Sequence, residues 1–340
     1  MDTMRLGRTN LTVTRSGFGA LPIQRLPKAE AVTLIREAYD QGITYFDTAR
    51  SYTDSEDKLG AALVDIRDRV VISTKSHSTT PEELRLHVET SLKALGTDWV
   101  DILQFHNPKT VYLPGGEDGM YDELFLLKEQ GKVRYIGYTN HSLDRAMEAV
   151  QSKAYDTVQF PLNHLSAPKD LELVDLCARL DVGFIAMKGM SGGLVTDARL
   201  SFAFLRQFEN VVPIWGIQRR SELEEFLKLE ASPPLLSDLW QAIETDRTDL
   251  AGDFCRSCGY CLPCPAGIDI PQAARMSLLL GRMPWRPFMS EKWRKKMEQI
   301  EDCILCRQCS SRCPYGLDTP ALLQKNLAFY RSFYQTHHDL

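Results

Sequence analysis

Between Gly17 and about Leu229, short β-branched or aromatic runs alternate with longer stretches whose apolar residues recur at helical spacing. That is the rhythm of βα units laid around a parallel sheet. Strands are predicted at Ser16–Ala20, Tyr45–Asp47, Val70–Thr74, Val100–Phe105, Ile136–Tyr138, Thr157–Phe160, Gly183–Met187 and Val212–Ile214. A helix follows each, near Pro27–Gln41, Glu56–Val64, Pro81–Leu95, Tyr121–Gln130, Leu143–Ser152, Asp170–Leu180, Ala198–Gln207 and Ser221–Leu229. Eight right-handed units in about 230 residues favour a closed (β/α)8 TIM barrel over an open doubly wound sheet. The opening RLGRTNLTVTRSG alternates around Thr9-Asn10 like a hairpin. Such a hairpin could plug the barrel floor; with no mechanistic cue for that, an ordinary edge hairpin is expected.

Ala231-Ser232-Pro233-Pro234 breaks the last helical pattern, and a polar stretch, Glu244–Gly252, follows. The barrel is therefore assigned to residues 1–230, a linker to 231–250, a small helical module to 251–325 and a tail to 326–340. Within the module, helices are expected at Ile270–Arg282 and Glu291–Ile300. The chain has 340 residues, 44% of them hydrophobic, enough for one large core or two smaller ones. Its apolar runs fall far short of the roughly 20 residues that cross a bilayer, and MDTMRLGRTN lacks the apolar centre of a signal peptide. A soluble cytoplasmic protein is expected. Forty basic against 45 acidic residues leave a net charge of −5, with no broad basic field for phosphate backbones. Nucleic acid and membrane are thus not expected partners; small molecules and proteins remain.

The cysteines sharpen this picture. Of nine, only Cys177 precedes residue 250, and it reads as a small core residue; the other eight crowd between Cys255 and Cys313. Cys255-x2-Cys258-x2-Cys261-x2-Cys264-Pro265 is followed by Cys303-x2-Cys306-x2-Cys309-x3-Cys313-Pro314. The second group matches the bacterial ferredoxin run for a [4Fe–4S] cubane; the first departs by one residue before its last cysteine. Three thiolates at i, i+3 and i+6 cap three irons of a cube, and the distant cysteine beside proline supplies the fourth iron of the other cube. Cys255, Cys258 and Cys261 therefore pair with Cys313, and Cys303, Cys306 and Cys309 with Cys264. Structural zinc and disulfides are the other readings. Zinc ribbons usually separate two C-x2-C pairs by a long loop, and disulfides are rare in reducing cytosol.

In a (β/α)8 barrel the chemistry sits at the C-terminal strand ends. Asp47 ends the second predicted strand, Tyr52 follows in its loop, Lys75 follows the third strand and His106 the fourth. Each alone has a plain reading, as a helix cap, loop packing, a solvated charge or a rim histidine; four at adjacent strand ends make a set. Hydride reduction of a carbonyl leaves an alkoxide that must take a proton, and a phenol of pKa about 10 is a reluctant donor. A neighbouring ammonium is expected to lower that pKa, with Asp47 holding Lys75 in place and His106 orienting the carbonyl oxygen.

FDTARSY, STK, LQFHNP, RLGRTNLTVTRSGFGA and GYTNHS together resemble the aldo-keto reductase superfamily over nearly all of residues 4–229. The C-terminal module makes the chain similar to iron–sulfur aldo-keto reductases, in which a ferredoxin-type di-cluster domain follows the barrel. The resemblance implies Asp47, Tyr52, Lys75 and His106 as the catalytic tetrad, with Tyr52 the acid/base. It implies Thr139, Asn140 and Gln159 as holders of a nicotinamide carboxamide, and Gly19 and Ala20 at the pocket mouth. The segment GIQRRSELEEF resembles the family's phosphate-binding stretch, implying Gly216, Ile217, Gln218, Arg219 and Glu225 as cofactor contacts. Arg219 would face a 2′-phosphate, so NADP(H) is expected, with NAD(H) the alternative. Phe226, Glu222 and Met187 depart from the residues the family commonly has at their positions.

The expected activity is hydride transfer between NAD(P)H and a carbonyl/alcohol pair, beside two [4Fe–4S] clusters acting as staple, sensor or electron wire. A nicotinamide moves two electrons and a cubane one; a flavin could split the pair, and the sequence has no signature for one. The alternative is an electron-transfer or docking protein with an impaired barrel. His77, His87, His141, His164, His337 and His338 read as surface or loop residues, with a place near substrate the alternative for His164 alone, because it follows a strand mouth. Lys292, Arg294, Lys295 and Lys296 form a basic helix face, read as solvated, with a patch for an acidic electron-carrier protein the alternative.

Overall fold

The computed structural model describes residues 1–193, 195–250, 254–256, 261–282, 285–313 and 316–337. Two short strands open the chain, β1 (Thr3–Arg5) and β2 (Thr12–Thr14), paired antiparallel with Met4 opposite Val13. Eight parallel strands follow: β3 (Gly17–Gly19), β4 (Tyr45–Asp47), β5 (Val71–Ser76), β6 (Val100–His106), β7 (Val133–Thr139), β8 (Thr157–Pro161), β9 (Gly183–Met187) and β10 (Val211–Gly216). They close in sequence order, β10 pairing back onto β3. A helix follows every one, as the apolar spacing predicts. In Pro81–Leu95, Leu84, Val88, Leu92 and Leu95 form the buried stripe, and Thr80 caps the start by accepting from the Glu83 amide.

The opening hairpin corrects an expectation. A closed barrel has no edge for a hairpin to join, and β1 and β2 form a sheet of their own. Met4, Leu6 and Val13 pack instead with Tyr45, Val71, Ile102, Ile185, Val212 and Ile214. These barrel residues form an apolar layer that would otherwise meet water, so the hairpin is the floor plug. Leu6 and Val13 are fully buried, each contributing about 1.5–3 kcal/mol of burial. The plug seats on backbone: a Cβ on Gly7, whose φ is +50°, would stand 2.2 Å from the Gly183 nitrogen.

The chain divides into two compact units, Met1–Trp240 and Gln241–Leu340. The stretch expected as linker holds a helix, Leu236–Asp249. Inside the second unit the single helix expected at Ile270–Arg282 is two, Ile270–Ala273 and Met276–Arg282. Asn326 fills the break, its Nδ2 donating to the Ala274 carbonyl and its Oδ1 accepting from the Ser277 amide. Residues 326–337 are likewise no loose tail. They continue the helix Thr319–His337, with Leu327 and Tyr330 buried in that unit's core and the Tyr330 hydroxyl donating to the Phe288 carbonyl at 2.8 Å. Among the described residues, no helix is long and apolar enough to cross a membrane.

Candidate active site and cysteine module

Above its apolar floor the barrel interior turns polar. Strand register sets Asp47 beside Ser73, Lys75 beside Gln104, His106 beside Thr139 and Thr139 beside Gln159. Lys75 Nζ donates to Asp47 Oδ1 at 2.5 Å and to the Thr48 carbonyl at 2.5 Å. Asp47 Oδ2 accepts from Ser73 Oγ at 2.6 Å and Gln104 Nε2 at 3.2 Å, and Gln159 Nε2 donates to Oδ1 at 3.4 Å. All five side chains are buried, so the ion pair keeps its charges by being bonded on every side. Room for this cluster comes from Gly137, where a Cβ would stand 2.6 Å from Thr157 Oγ1 and 2.7 Å from Gln104 Cγ.

A turn after β4, closed by the Tyr52 amide donating to the Ala49 carbonyl, brings Tyr52 over this pair. Lys75 Nζ lies 5.1 Å from the Tyr52 ring centre, and the His106 ring meets that ring edge-on at 5.9 Å. The four expected catalytic side chains thus converge on one mouth. Their electrostatics differ from expectation in one respect. Burial raises the Tyr52 phenol above its ordinary value; Lys75 pulls it down, Asp47 pushes it up, and burial prevails. Burial works against the Lys75 ammonium too, but Asp47 and Tyr52 lift it above the usual lysine value, so it stays charged. Burial, Lys75 and His77 push His106 down to about 3, leaving a neutral imidazole.

Ser73 and Gln104 were not singled out from sequence. The available signal was strand period: Gln104 lies two residues before His106, as Ser73 does before Lys75, so each shares a face with a named residue. His164 is a correction. It is no surface residue: it is fully buried, its Nδ1 hydrogen-bonded at 2.8 Å to Ser201 Oγ of the helix Ala198–Arg206. Cys177 is buried, its thiol pushed up to about 12 by burial, as an inert core residue should be.

The residues expected around a nicotinamide are mixed in what they offer. Gln159 Oε1 and Gln104 Oε1 are buried acceptors with no hydrogen-bond partner, the kind of atom a carboxamide N–H satisfies. Gly19 and the buried Ala20 sit at the end of β3, where a Cβ on Gly19 would meet the Trp215 carbonyl at 3.0 Å. Thr139 is buried at the end of β7. Asn140 is engaged in structure: its Nδ2 donates to the Pro108 carbonyl and Tyr138 hydroxyl, and its Oδ1 accepts from the Ser142 amide. At the expected phosphate segment, Ile217 is buried while Gly216, Arg219 and Glu225 are exposed. The Glu222 carboxylate takes the very amides a phosphate would use, accepting from Gln218 N at 2.8 Å and Arg219 N at 3.1 Å. Phe226 stacks on Trp215 with ring centres 4.4 Å apart and is core.

In the second unit, Cys261, Cys264, Cys303, Cys306 and Cys309 line one hollow with Pro265, Ile268 and Ile270. Cys255 is buried and Cys313 half-buried; Cys258 lies outside the described residues. The basic face is locally balanced: Arg294 pairs with Glu291 and Glu298, and Lys296 with Asp269 at 3.1 Å. That suits a solvated face.

Comparison with known proteins bears on the family and the fold. The pattern of the Aldo/keto reductase family matches residues 15–203, and that of the 4Fe-4S dicluster domain matches residues 254–318. L-galactose dehydrogenase of Arabidopsis thaliana is 33% identical over 58% of this chain and 68% of its own. NADH-specific methylglyoxal reductase of Escherichia coli is 27% identical over 69% of this chain and 81% of its own. The aldo-keto reductase of Klebsiella pneumoniae in complex with NADPH has the same fold, with a TM-score of 0.64 at 21% identity over 72% of this chain and 95% of that one. The closed barrel, the four converging side chains and the matched patterns place the chain in the aldo/keto reductase family, as an oxidoreductase barrel followed by a 4Fe-4S dicluster domain.

Proposed function

We propose that the barrel interconverts a small carbonyl compound and its alcohol with a nicotinamide dinucleotide as hydride partner. The observation that carries this is Lys75 Nζ, held by Asp47 Oδ1 at 2.5 Å and standing 5.1 Å from the Tyr52 ring. The dinucleotide, when bound, gives or takes the hydride. Tyr52 supplies the proton: as the carbonyl carbon gains hydride, the phenol O–H bond breaks, its proton goes to the carbonyl oxygen, and water later restores it. Lys75 stabilises the phenolate left behind, and that charge exists only once the proton has begun to move. Neutral His106 donates a hydrogen bond to the same oxygen before and during transfer. Gln159 and Gln104, with their unsatisfied carbonyl oxygens, are the natural holders of the carboxamide, with Thr139 beside them. Asn140 acts by shaping that wall.

On the adenine side, Arg219 favours NADPH, while Glu222 places a carboxylate on the amides beside it. Like charges repel, and the NADH-specific name of the Escherichia coli relative fits the same direction, so NADH is the partner we assign over NADPH. The cysteine hollow supports the assignment of Cys303, Cys306, Cys309 and Cys264 to one [4Fe–4S] cluster, leaving Cys255, Cys258, Cys261 and Cys313 for a second. Each cluster, when present, moves single electrons.

The test is titration of the anaerobically reconstituted protein with NADH and NADPH, followed by turnover of a panel of aldehydes and ketones. Saturable binding and carbonyl reduction are expected. Tyr52→Phe is expected to lower kcat by about 10²–10⁴-fold while leaving dinucleotide affinity in place. Failure to bind either dinucleotide, or full turnover by Tyr52→Phe, would overturn the reading; the first result would leave an electron-transfer protein with a barrel scaffold.

A further inference from the structure

Just beyond Lys75, where β5 leaves the barrel, a second group of donors gathers outside the reduction site. His77 follows the strand, while Glu83 and His87 share one face of the helix Pro81–Leu95 as i and i+4. One ligand atom from each of the three, a ring nitrogen of either histidine and a carboxylate oxygen, lies within 4.8 Å of the other two. His87 Nε2 and Glu83 Oε1 are 3.8 Å apart, and the two imidazole centres 4.8 Å.

The surrounding hydrogen bonds leave the right atoms bare. Ser76 Oγ gives its single proton to Ser78 Oγ at 2.9 Å, so it accepts from His87 Nδ1 at 2.8 Å. His87 is then protonated on Nδ1, and its Nε2 lone pair turns toward Glu83. A metal-binding imidazole takes such an outer bond on its other nitrogen. Glu83 divides its oxygens in the same way: Oε2 accepts from the Thr79 amide at 2.8 Å and holds the helix start, while Oε1 faces His87. The nearby Arg50 guanidinium is already answered by Glu56.

We propose that His77, Glu83 and His87 form a site for a divalent transition cation of the zinc class, with water completing the coordination. Two imidazoles and one carboxylate suit zinc, whereas calcium and magnesium prefer all-oxygen shells. Ligand atoms around tetrahedral zinc sit about 3.3 Å apart, so the group must tighten on binding. His77 is exposed on its loop and can rotate inward without disturbing the core. A bound cation would tie the β5 loop to the helix at the rim of the barrel mouth.

Equilibrium dialysis of the full-length, cluster-loaded protein against low-micromolar Zn²⁺, with metals counted by mass spectrometry, tests this. Occupied clusters keep zinc off the cysteines, and iron content is read in the same measurement. Wild type is expected to bind one equivalent of zinc that His77→Ala and Glu83→Gln both lose; the glutamine oxygen preserves the cap to Thr79. Ser76→Ala is expected to weaken binding by about tenfold, because the Nδ1 bond that orients His87 is gone. Equal zinc on wild type, His77→Ala and Glu83→Gln would overturn the proposal, whatever the iron content.

Discussion

In the proposed reduction Tyr52 is the proton donor, and burial makes its phenol a more reluctant one; Lys75 offsets only part of that cost before substrate arrives. The sign of the pH dependence follows. Reduction needs the phenol protonated, and its pKa lies above the ordinary tyrosine value of about 10. The reduction rate should therefore stay level through neutral pH and fall only on the far alkaline side. His106, at about 3, keeps one charge state across the range where histidines usually titrate, so no inflection is expected near pH 6.5. A kcat profile in reduction showing a step there would contradict the neutral imidazole. On the adenine side, Glu222→Gln keeps an acceptor for the Gln218 and Arg219 amides and removes the negative charge, so the NADPH-to-NADH affinity ratio should rise by about two- to fivefold in competitive titration. Much of the candidate site could be read from sequence, because strand ends in a parallel barrel share one mouth and Asp47, Lys75 and His106 lie at or next to the ends of consecutive strands. Ser73 and Gln104 escaped because nothing in their identity announces a role; only the register that turns them toward Asp47 does. The net direction of the Tyr52 shift escaped too, since spacing reports neighbours and not the depth of water around them.

The strands and helices were predictable because each carries its own local signal: Pro81 and Thr80 at a helix start, and short apolar runs buried on both faces. What the local pattern lacked was closure. The hairpin β1–β2 looks the same whether it borders an open sheet or seals a closed one, and only the apolar ring of Tyr45, Ile102 and Ile185 beneath the barrel decides between them. The split at Ala274–Arg275 has a similar origin, in an Asn326 amide that comes from another helix. Inside the barrel, β7 is placed by absence: Gly137 lets Gln104 and Thr157 pass beneath the Asp47–Lys75 pair. Gly137→Ala should overpack this layer and cost about 1–3 kcal/mol, seen as a lower urea midpoint with an unchanged slope. Since the new methyl presses on Gln104 Cγ, which positions a donor to Asp47, kcat should fall as well. A variant as stable and active as wild type would show that the polar layer is looser than its distances imply.

The two units draw stability from different sources. The barrel buries apolar side chains at its floor and under every helix. The unit Gln241–Leu340 has a small core, with Ile268, Ile270, Met276, Leu280, Met297, Ile300, Leu323 and Leu327 at its centre. Cys255 and Cys309 are counted within that core, and Cys261, Cys264, Cys303 and Cys313 pack against it. If the proposed clusters bind these cysteines, the ligand loops double as core walls, and cluster binding and folding become one equilibrium, because the site exists only in the folded chain. Anaerobic iron chelation should therefore loosen this unit and spare the other. Amide exchange at Met276, Leu280 and Leu327 should quicken by more than about tenfold, a loss above about 1.4 kcal/mol of local stability, while Ile102 and Phe105 keep their protection. Protection unchanged at all five positions would make the clusters guests of a preformed fold. Loss at Ile102 and Phe105 as well would make them supports of the barrel. The expected pattern would tie the proposed clusters to the unit that carries the eight clustered cysteines, where a redox change would alter local order without dismantling the site around Tyr52.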